Sequence, residues 1–356
     1  MIWIVPTIVL VVPLVAVYFL LIRSMDRYHP APWWVLVLCL VWGAVGAVGI
    51  SVVGDLLGQG AISFAMELDF DDEQVFNASA TFVAPLVEEP AKALGLLFIY
   101  LISRKRGHES LGPLRGAVFG GIIGLGFTLT EDILYIIQGA NKSGGAGFVQ
   151  IFFLRTVMLG LGHATFTAMT GLGFGLFATM KSRWRWAMPL AGMTLGMLLH
   201  FGRNLFGSYL VMEGLGVFLI VLLNAAVVLA LFGLLVWLGW LDRQRIIEGL
   251  QGVTGVLITP AEYAAATSGW MLLPGWNLFN LIGLPGGFRA ARRKQAHLFE
   301  LAFLRQRARH APAPIPNQPP TLDSEIDSLI AELHTANQQG TRLALETMNP
   351  PPVIRG

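Results

Sequence analysis

Charge is scarce in this chain. Only 13% of its 356 residues are Asp, Glu, Lys or Arg, against 54% hydrophobic, and the mean hydropathy is +0.64. A water-soluble globule seldom reaches that balance. Net charge is +2, so there is no basic excess for a nucleic-acid partner. There is one cysteine, Cys39, inside an apolar run. That excludes a disulfide framework and a thiolate zinc site, and leaves Cys39 as a small packing residue. No HExxH is present, so the standard helical zinc motif is missing. The first apolar run, Met1–Ile22, lacks a basic leader and a small-residue cleavage pattern. It reads as a membrane span rather than a signal peptide.

Long apolar runs are plentiful. Seven are legible: Ile2–Ile22, Trp33–Val53, Ala80–Ser103, Leu114–Gln138, Phe148–Met180, Ala187–Phe206 and Leu215–Trp240. Each is near or above the roughly 20 residues that cross a hydrocarbon core. The expected fold class is therefore all-α, a polytopic membrane helix bundle of about seven transmembrane helices. Lys and Arg concentrate after spans one, three, five and seven (Arg23, Arg27; Arg104, Lys105, Arg106, Arg115; Lys181, Arg183, Arg185; Arg243, Arg245), against Lys142 alone after span four and none after spans two and six. The loop after span two is acidic, from Asp55 to Glu73. By the positive-inside rule the N-terminus is outside and the C-terminal tail cytoplasmic.

The expected domains are a transmembrane core over 1–240, a cytoplasmic juxtamembrane or interfacial region over 241–310, a Pro-rich linker over 311–321 and a tail over 322–356. Residues 270–288 read as interfacial. Residues 289–310 read as a basic amphipathic helix, either on the anionic inner leaflet or packed on cytoplasmic loops. In the tail, Ile326, Leu329, Ile330 and Leu333 recur at helical spacing and could meet an unknown partner. Within the spans, Gly116, Gly120 and Gly124, Gly171 and Gly175, and Gly192 and Gly196 recur at four-residue spacing. Such faces let helix backbones approach closely.

Charges inside membrane-length runs are costly and are usually retained for function. Here they are Glu88, Glu89 and Lys92 in span three, Glu131 and Asp132 in span four, Arg155 and His163 in span five, and His200 and Arg203 in span six, with Asn204 beside them. Alternating helix direction and a 1.5 Å rise per residue put most of them at similar depth, in the outer leaflet. Glu88 and Lys92, Glu89 and Lys92, and His200 and Asn204 each share a helix face. Pro90 removes a backbone donor beside the carboxylates. Asp132 reads as a helix-end residue. Arg155 and Arg203 read as snorkelling or paired cations.

Such a cluster can perform hydrolysis. Two adjacent carboxylates in a desolvated site cannot both ionise cheaply, and one can then take a proton from water. Lys92 keeps the other ionised, while histidine and Asn204 can donate to a developing oxyanion. A second route is a divalent metal such as zinc, held by Glu88, Glu131, His163 and His200. An ion- or proton-coupled transporter and a non-catalytic scaffold also keep buried charges. A transporter predicts polar residues through the whole depth or inverted repeats, and neither is legible.

Glu88-Glu89-Pro90-Ala91-Lys92, Phe127-x-x-x-Glu131, His163 and His200-x-x-x-Asn204 together resemble the PrsW family of intramembrane proteases, within the wider clan of type II CAAX prenyl proteases. The likeness covers about Ala80 to Phe206. The CAAX branch has Arg one place after Lys92 and His in place of Glu131. Ala93 and Glu131 therefore point away from prenyl-protein processing. The resemblance implies an endopeptidase in the bacterial plasma membrane, with a membrane-anchored protein as substrate, such as an anti-sigma factor cut on its extracytoplasmic side. It implies catalytic roles for Glu88, Glu89, Lys92, Glu131, His163, His200 and Asn204, with Glu88 as base and His200 and Asn204 as oxyanion donors. Both a glutamate-dependent and a metal-dependent mechanism remain open.

Overall fold

The computed structural model describes residues 2–28, 30–105, 112–210, 214–268, 287–309 and 324–335. Every regular element among them is helical, as expected where hydrocarbon leaves backbone groups no other partner. The first run forms α1, Ile4–Arg23. The second forms α2, Trp33–Val41, and α3, Val48–Met66, joined by a π-helical turn, Trp42–Ala47. A short α4, Glu73–Ala78, and a π turn, Ser79–Val83, lead into α5, Ala84–Lys105. Then come α6, Pro113–Ile151, a π stretch, Phe152–Met158, and α7, Gly162–Thr179. They are followed by α8, Met188–Leu205, and α9, Gly214–Gly249. Among the described residues, four stretches are long and apolar enough to cross a membrane: Ile4–Arg23, Trp33–Met66, Pro113–Thr179 and Gly216–Gly249. The helices α5 and α8 lie outside that group, and they carry Glu88, Glu89 and Lys92, and His200, Arg203 and Asn204.

Three boundaries differ from the sequence expectation. Helix α3 continues to Met66 and takes Asp55 with it. The Gly-rich segment after Gln138 is helical on both sides of a sharp break at Ser143 and Gly144, where Gly144 adopts φ 60°. Glycine enters that left-handed region without steric cost. The chain then folds back so closely that a Cβ on Gly147 would stand 2.2 Å from the Gly139 carbonyl oxygen. The fifth run also breaks, after the π stretch, so that α7 begins at Gly162 with His163 in its first turn.

The chain divides into two compact units: Met1–Asp26 with Ala31–Leu235, and Arg27–Pro30 with Val236 onward. In the first unit, α6 and α7 form the buried centre. The glycine faces do what their spacing suggests. A Cβ on Gly116 would meet the Gly171 carbonyl oxygen at 2.1 Å, and one on Gly124 would meet that of His163 at 2.2 Å. Helix ends pair in a regular way. Asp26, after α1, is ion-paired at 3.4 Å with Arg115 at the start of α6. Trp3 stacks on Phe148 with ring centroids 5.5 Å apart.

The second unit has an ordinary apolar core. Ile246 and Leu250 at the end of α9 are buried with Val253, Leu257 and Ile258 of the following turn and Ala266 of α10, Pro260–Thr267. Helix α11, Gly287–Arg309, adds Leu298, Phe299, Leu301, Ala302 and Leu304. Its apolar side chains thus pack against protein within the second unit. A further helix, α12 over 324–335, buries Leu329 and Leu333 in the same core, with Ile326 and Ile330 packed against it. The apolar stripe of the tail is covered by its own chain. Tyr28 enters this core edge-on to Phe299, and burial pushes its phenol up to about 12, so it serves there as a neutral ring. The interfacial segment expected over 270–288 and the linker over 311–321 lie almost wholly outside the described residues.

Candidate active site

Lys92 is the hub. Its side chain is fully buried. Helical spacing brings Glu88 and Glu89 of the preceding turn to it: Nζ donates to Glu88 Oε2 at 3.0 Å and to Glu89 Oε1 at 2.8 Å. Pro90, between them, leaves the carbonyl of Leu86 without its usual helical donor. Nζ also lies 3.0 Å from His163 Nδ1 and 3.8 Å above the Phe127 ring. The motif phenylalanine thus covers one face of the ammonium through a cation–π contact. His163 reaches the hub because Gly124 lets α6 touch the α7 backbone. His200 reaches it because Gly196 does the same for α8, where a Cβ would stand 2.6 Å from the Phe166 carbonyl oxygen.

The two carboxylates differ. Glu89 accepts from Lys92, from Thr167 Oγ1 at 3.2 Å, and faces His200 Nδ1 at 3.1 Å. Glu88 accepts from Lys92 alone among the described hydrogen bonds, with the imidazoles at 3.8 and 4.0 Å. The side chain of Glu88 retains 7% exposure and that of Glu89 none. Glu89 is the fixed counterion; Glu88 has acceptor capacity to spare.

The ring protons follow from the partners. An ammonium only donates, so His163 Nδ1 accepts from Lys92. Nε2 then carries the proton, and it faces Glu131 Oε2 at 2.7 Å. Glu131 is held in turn by Arg155 Nη2 at 2.7 Å, and Arg155 Nε donates to Asp132 Oδ1 at 3.2 Å. Asp132, Arg155, Glu131 and His163 thus form a row of ion-pair contacts behind the imidazole, while the Lys92 ammonium takes its Nδ1 lone pair. His200 Nδ1 faces a carboxylate and carries its proton there. Asn204 Nδ2 donates to the Ala80 carbonyl at 2.7 Å, tying α8 to the π turn before α5.

The sequence-predicted residues Glu88, Glu89, Lys92, Glu131, His163 and His200 therefore meet, and Asn204 stands at their edge as an interhelical clasp. Asp132 is not a helix-end residue. It is buried, and the cation that pairs it is Arg155. Three neighbours escaped the sequence reading. Thr167 sits one helical turn beyond His163 on the same face, a spacing that could have flagged it. Phe166 stacks on His200 at 5.2 Å. Asp55 lies near enough for its charge to bear on Glu88, and it was read as a loop residue because the second span was expected to end at Val53.

By donor type, a divalent metal fits. Glu88, Glu89, His163 and His200 offer ligand atoms that all lie within 4.8 Å of one another. Carboxylate and imidazole suit zinc and other first-row ions. Glu89 takes the place that sequence reasoning gave to Glu131, which stands on the far side of His163. The Lys92 ammonium lies within about 3 Å of three of the four donors, so ammonium and dication compete for one seat.

No curated protein and no solved structure matches the chain. The family profile described as PrsW family intramembrane metalloprotease matches residues 31–235, which contain every residue of the polar cluster. More than half of the sequence is covered, and the chain belongs to the PrsW family of intramembrane metalloproteases.

Proposed function

We propose that this chain is an intramembrane endopeptidase in which Glu88 activates the attacking water. The observation that carries this is the inequality of the two carboxylates around Lys92. Glu89 is saturated with donors, while Glu88 has one and is the more open. Glu88 takes a proton from water as the oxygen attacks the peptide carbonyl, and later returns it to the leaving amine. Lys92 keeps the pair of carboxylates from repelling each other. Glu131, held by Arg155, fixes His163 in one tautomer, with its lone pair beside Glu88. Asn204 keeps one amide hydrogen beyond the bond to Ala80, and that hydrogen can meet the substrate carbonyl.

A metal-dependent reading rests on the four-donor group. Glu88, Glu89, His163 and His200 would hold the ion, which would supply Lewis acidity for water at that place. Lys92 then has to withdraw from the hub.

The substrate is a membrane-anchored protein cut near the extracytoplasmic face, with a membrane-bound anti-sigma factor as the class that family likeness suggests. Seven spans, an outer N-terminus and a cytoplasmic segment beyond residue 240 in a bacterial plasma membrane fit the basic loops and the pairing of helix ends.

Purified protein in liposomes with single-span reporter proteins tests the reading. Cleavage should vanish in Glu88→Gln with the melting temperature retained, and full activity in that variant overturns the assignment. Chelation and add-back on the same preparation separate the two mechanisms: cleavage that persists at undetectable metal removes the metal reading. A cysteine at Glu73 should be labelled from outside intact cells, since Cys39 is buried and gives little background. Labelling only after permeabilisation reverses the orientation.

A further inference from the structure

The cluster holds two arginines, and they are not equivalent. Arg155 is paired with two carboxylates. Arg203, on α8, has no carboxylate within ion-pairing distance among the described residues; Glu131, Glu88 and Asp132 act on it only at longer range. Its Nε donates to Asn204 Oδ1 at 3.3 Å, and its guanidinium lies 5.1 Å from the Phe166 ring centroid. Nη2 stands 3.1 Å from His163 Nε2. That contact is not a hydrogen bond from Arg203 in the tautomer derived above, because with Nδ1 accepting from Lys92 the ring proton is on Nε2. A guanidinium cannot accept one either. Room for the group is made by Gly162, where a Cβ would stand 2.7 Å from Nη1. A half-buried guanidinium with donors left over, at the edge of a polar cluster, is expensive unless something else supplies the acceptor.

The other candidates for polarising a carbonyl are constrained. His200 directs its Nδ1 proton to Glu89, so when neutral its second nitrogen is an acceptor. Asn204 has given one of its two amide hydrogens to Ala80.

We propose that Arg203 is a catalytic residue, the principal donor to the oxyanion of the scissile peptide. This rests on the peptidase reading of the site. As water attacks, a proton passes to Glu88, a new C–O bond forms, and the carbonyl π pair moves onto oxygen beside the Arg203 fork. When the pair returns, the C–N bond breaks and the amine leaves with the proton from Glu88. Asn204 is turned by its bond from Arg203 Nε so that its remaining N–H faces the same oxygen.

The test uses a cleaved single-span reporter and a peptide from its cleavage site in which a phosphinate, an anionic tetrahedral mimic, replaces the scissile amide. Arg203→Met should lower kcat about 100- to 1000-fold, the range for loss of one oxyanion donor, with KM within about threefold. Phosphinate affinity should fall by the same factor, while affinity for the uncleaved peptide holds. Arg203→Lys, which keeps the charge without the fork, should recover part of both losses, and it replaces the Met variant if that one does not fold. Cleavage within threefold of the unsubstituted enzyme overturns the assignment. So does a loss confined to KM, or an unchanged phosphinate affinity. Glu88→Gln is run alongside. If it cleaves normally, the peptidase reading falls and Arg203 with it; if it is inactive while Arg203→Met is not, only the Arg203 assignment falls. An unsubstituted enzyme that neither cleaves nor binds the phosphinate removes both.

Discussion

The chain builds two interiors by opposite rules. In the second unit, Leu250, Leu301 and Ala302 are wholly buried among hydrocarbon, with Phe299 nearly so. In the first, the largest fully buried side chain among the described residues is that of Lys92. It is enclosed by two carboxylates, an imidazole and an aromatic ring, in helices that meet through backbone at glycine. The apolar interior gains stability from every contact and tolerates water poorly. The polar one is a pre-oriented set of charges whose net stabilisation is small, because desolvation offsets most of the Coulomb gain. What it offers is a fixed arrangement around Glu88. Substitutions should therefore separate fold from chemistry differently in the two places.

The largest effect belongs to Lys92→Met. It leaves Glu88 and Glu89 buried without their shared cation, and loss of one partner from such a pair costs about 3–5 kcal/mol. Reporter cleavage should disappear together with a clear drop in melting temperature in detergent. An active Lys92→Met enzyme would remove the ammonium from the mechanism. It would also favour the metal reading if its metal content rose.

Phe299→Ala tests the other interior. Truncation of a buried phenylalanine costs about 3–5 kcal/mol. Limited proteolysis should find the segment beyond residue 236 more readily cut, while the reporter is still cleaved. Equal loss of cleavage would mean that the two units do not act separately.

Gly124→Ala probes how the polar interior is assembled. The added Cβ meets a backbone oxygen at 2.2 Å, and neither helix can yield locally. A cost of about 3 kcal/mol, at the upper end for overpacking, is expected. Cleavage should fall because His163 is carried away from Lys92.

How much of this was legible in the sequence follows from what each feature costs. Glu88, Glu89, Lys92, Glu131, His163 and His200 stood out because polar groups in apolar runs are costly and few. The glycine faces stood out through their spacing, and Gly116, Gly120, Gly124 and Gly196 do lie against neighbouring backbone. The partner of Arg155 was not legible, since a snorkelling cation and a paired one look alike in one dimension. Asp132 was misplaced at a helix end because its pairing with Arg155 depends on a π stretch, Phe152–Met158, that hydropathy does not reveal. The stripe Ile326, Leu329, Ile330 and Leu333 stood out as a helix face, but periodicity cannot say that the face joins the apolar core of its own unit rather than a partner. Thr167 was lost among other threonines in the spans, because a hydroxyl there costs little.

That last residue gives the finest test of the comparison. Thr167 Oγ1 is one of the donors that saturate Glu89. Thr167→Val keeps the shape and removes the hydroxyl, so Glu89 loses a bond to a charged acceptor, worth about 1.5 kcal/mol. If Glu89 is the fixed counterion and Glu88 the working base, the substitution should lower the melting temperature slightly and reduce kcat only a few-fold. Thr167→Ser should restore both. A loss of kcat as deep as that of Glu88→Gln, without loss of fold, would show that proton transfer runs through Glu89, and would exchange the roles of the two carboxylates around Lys92.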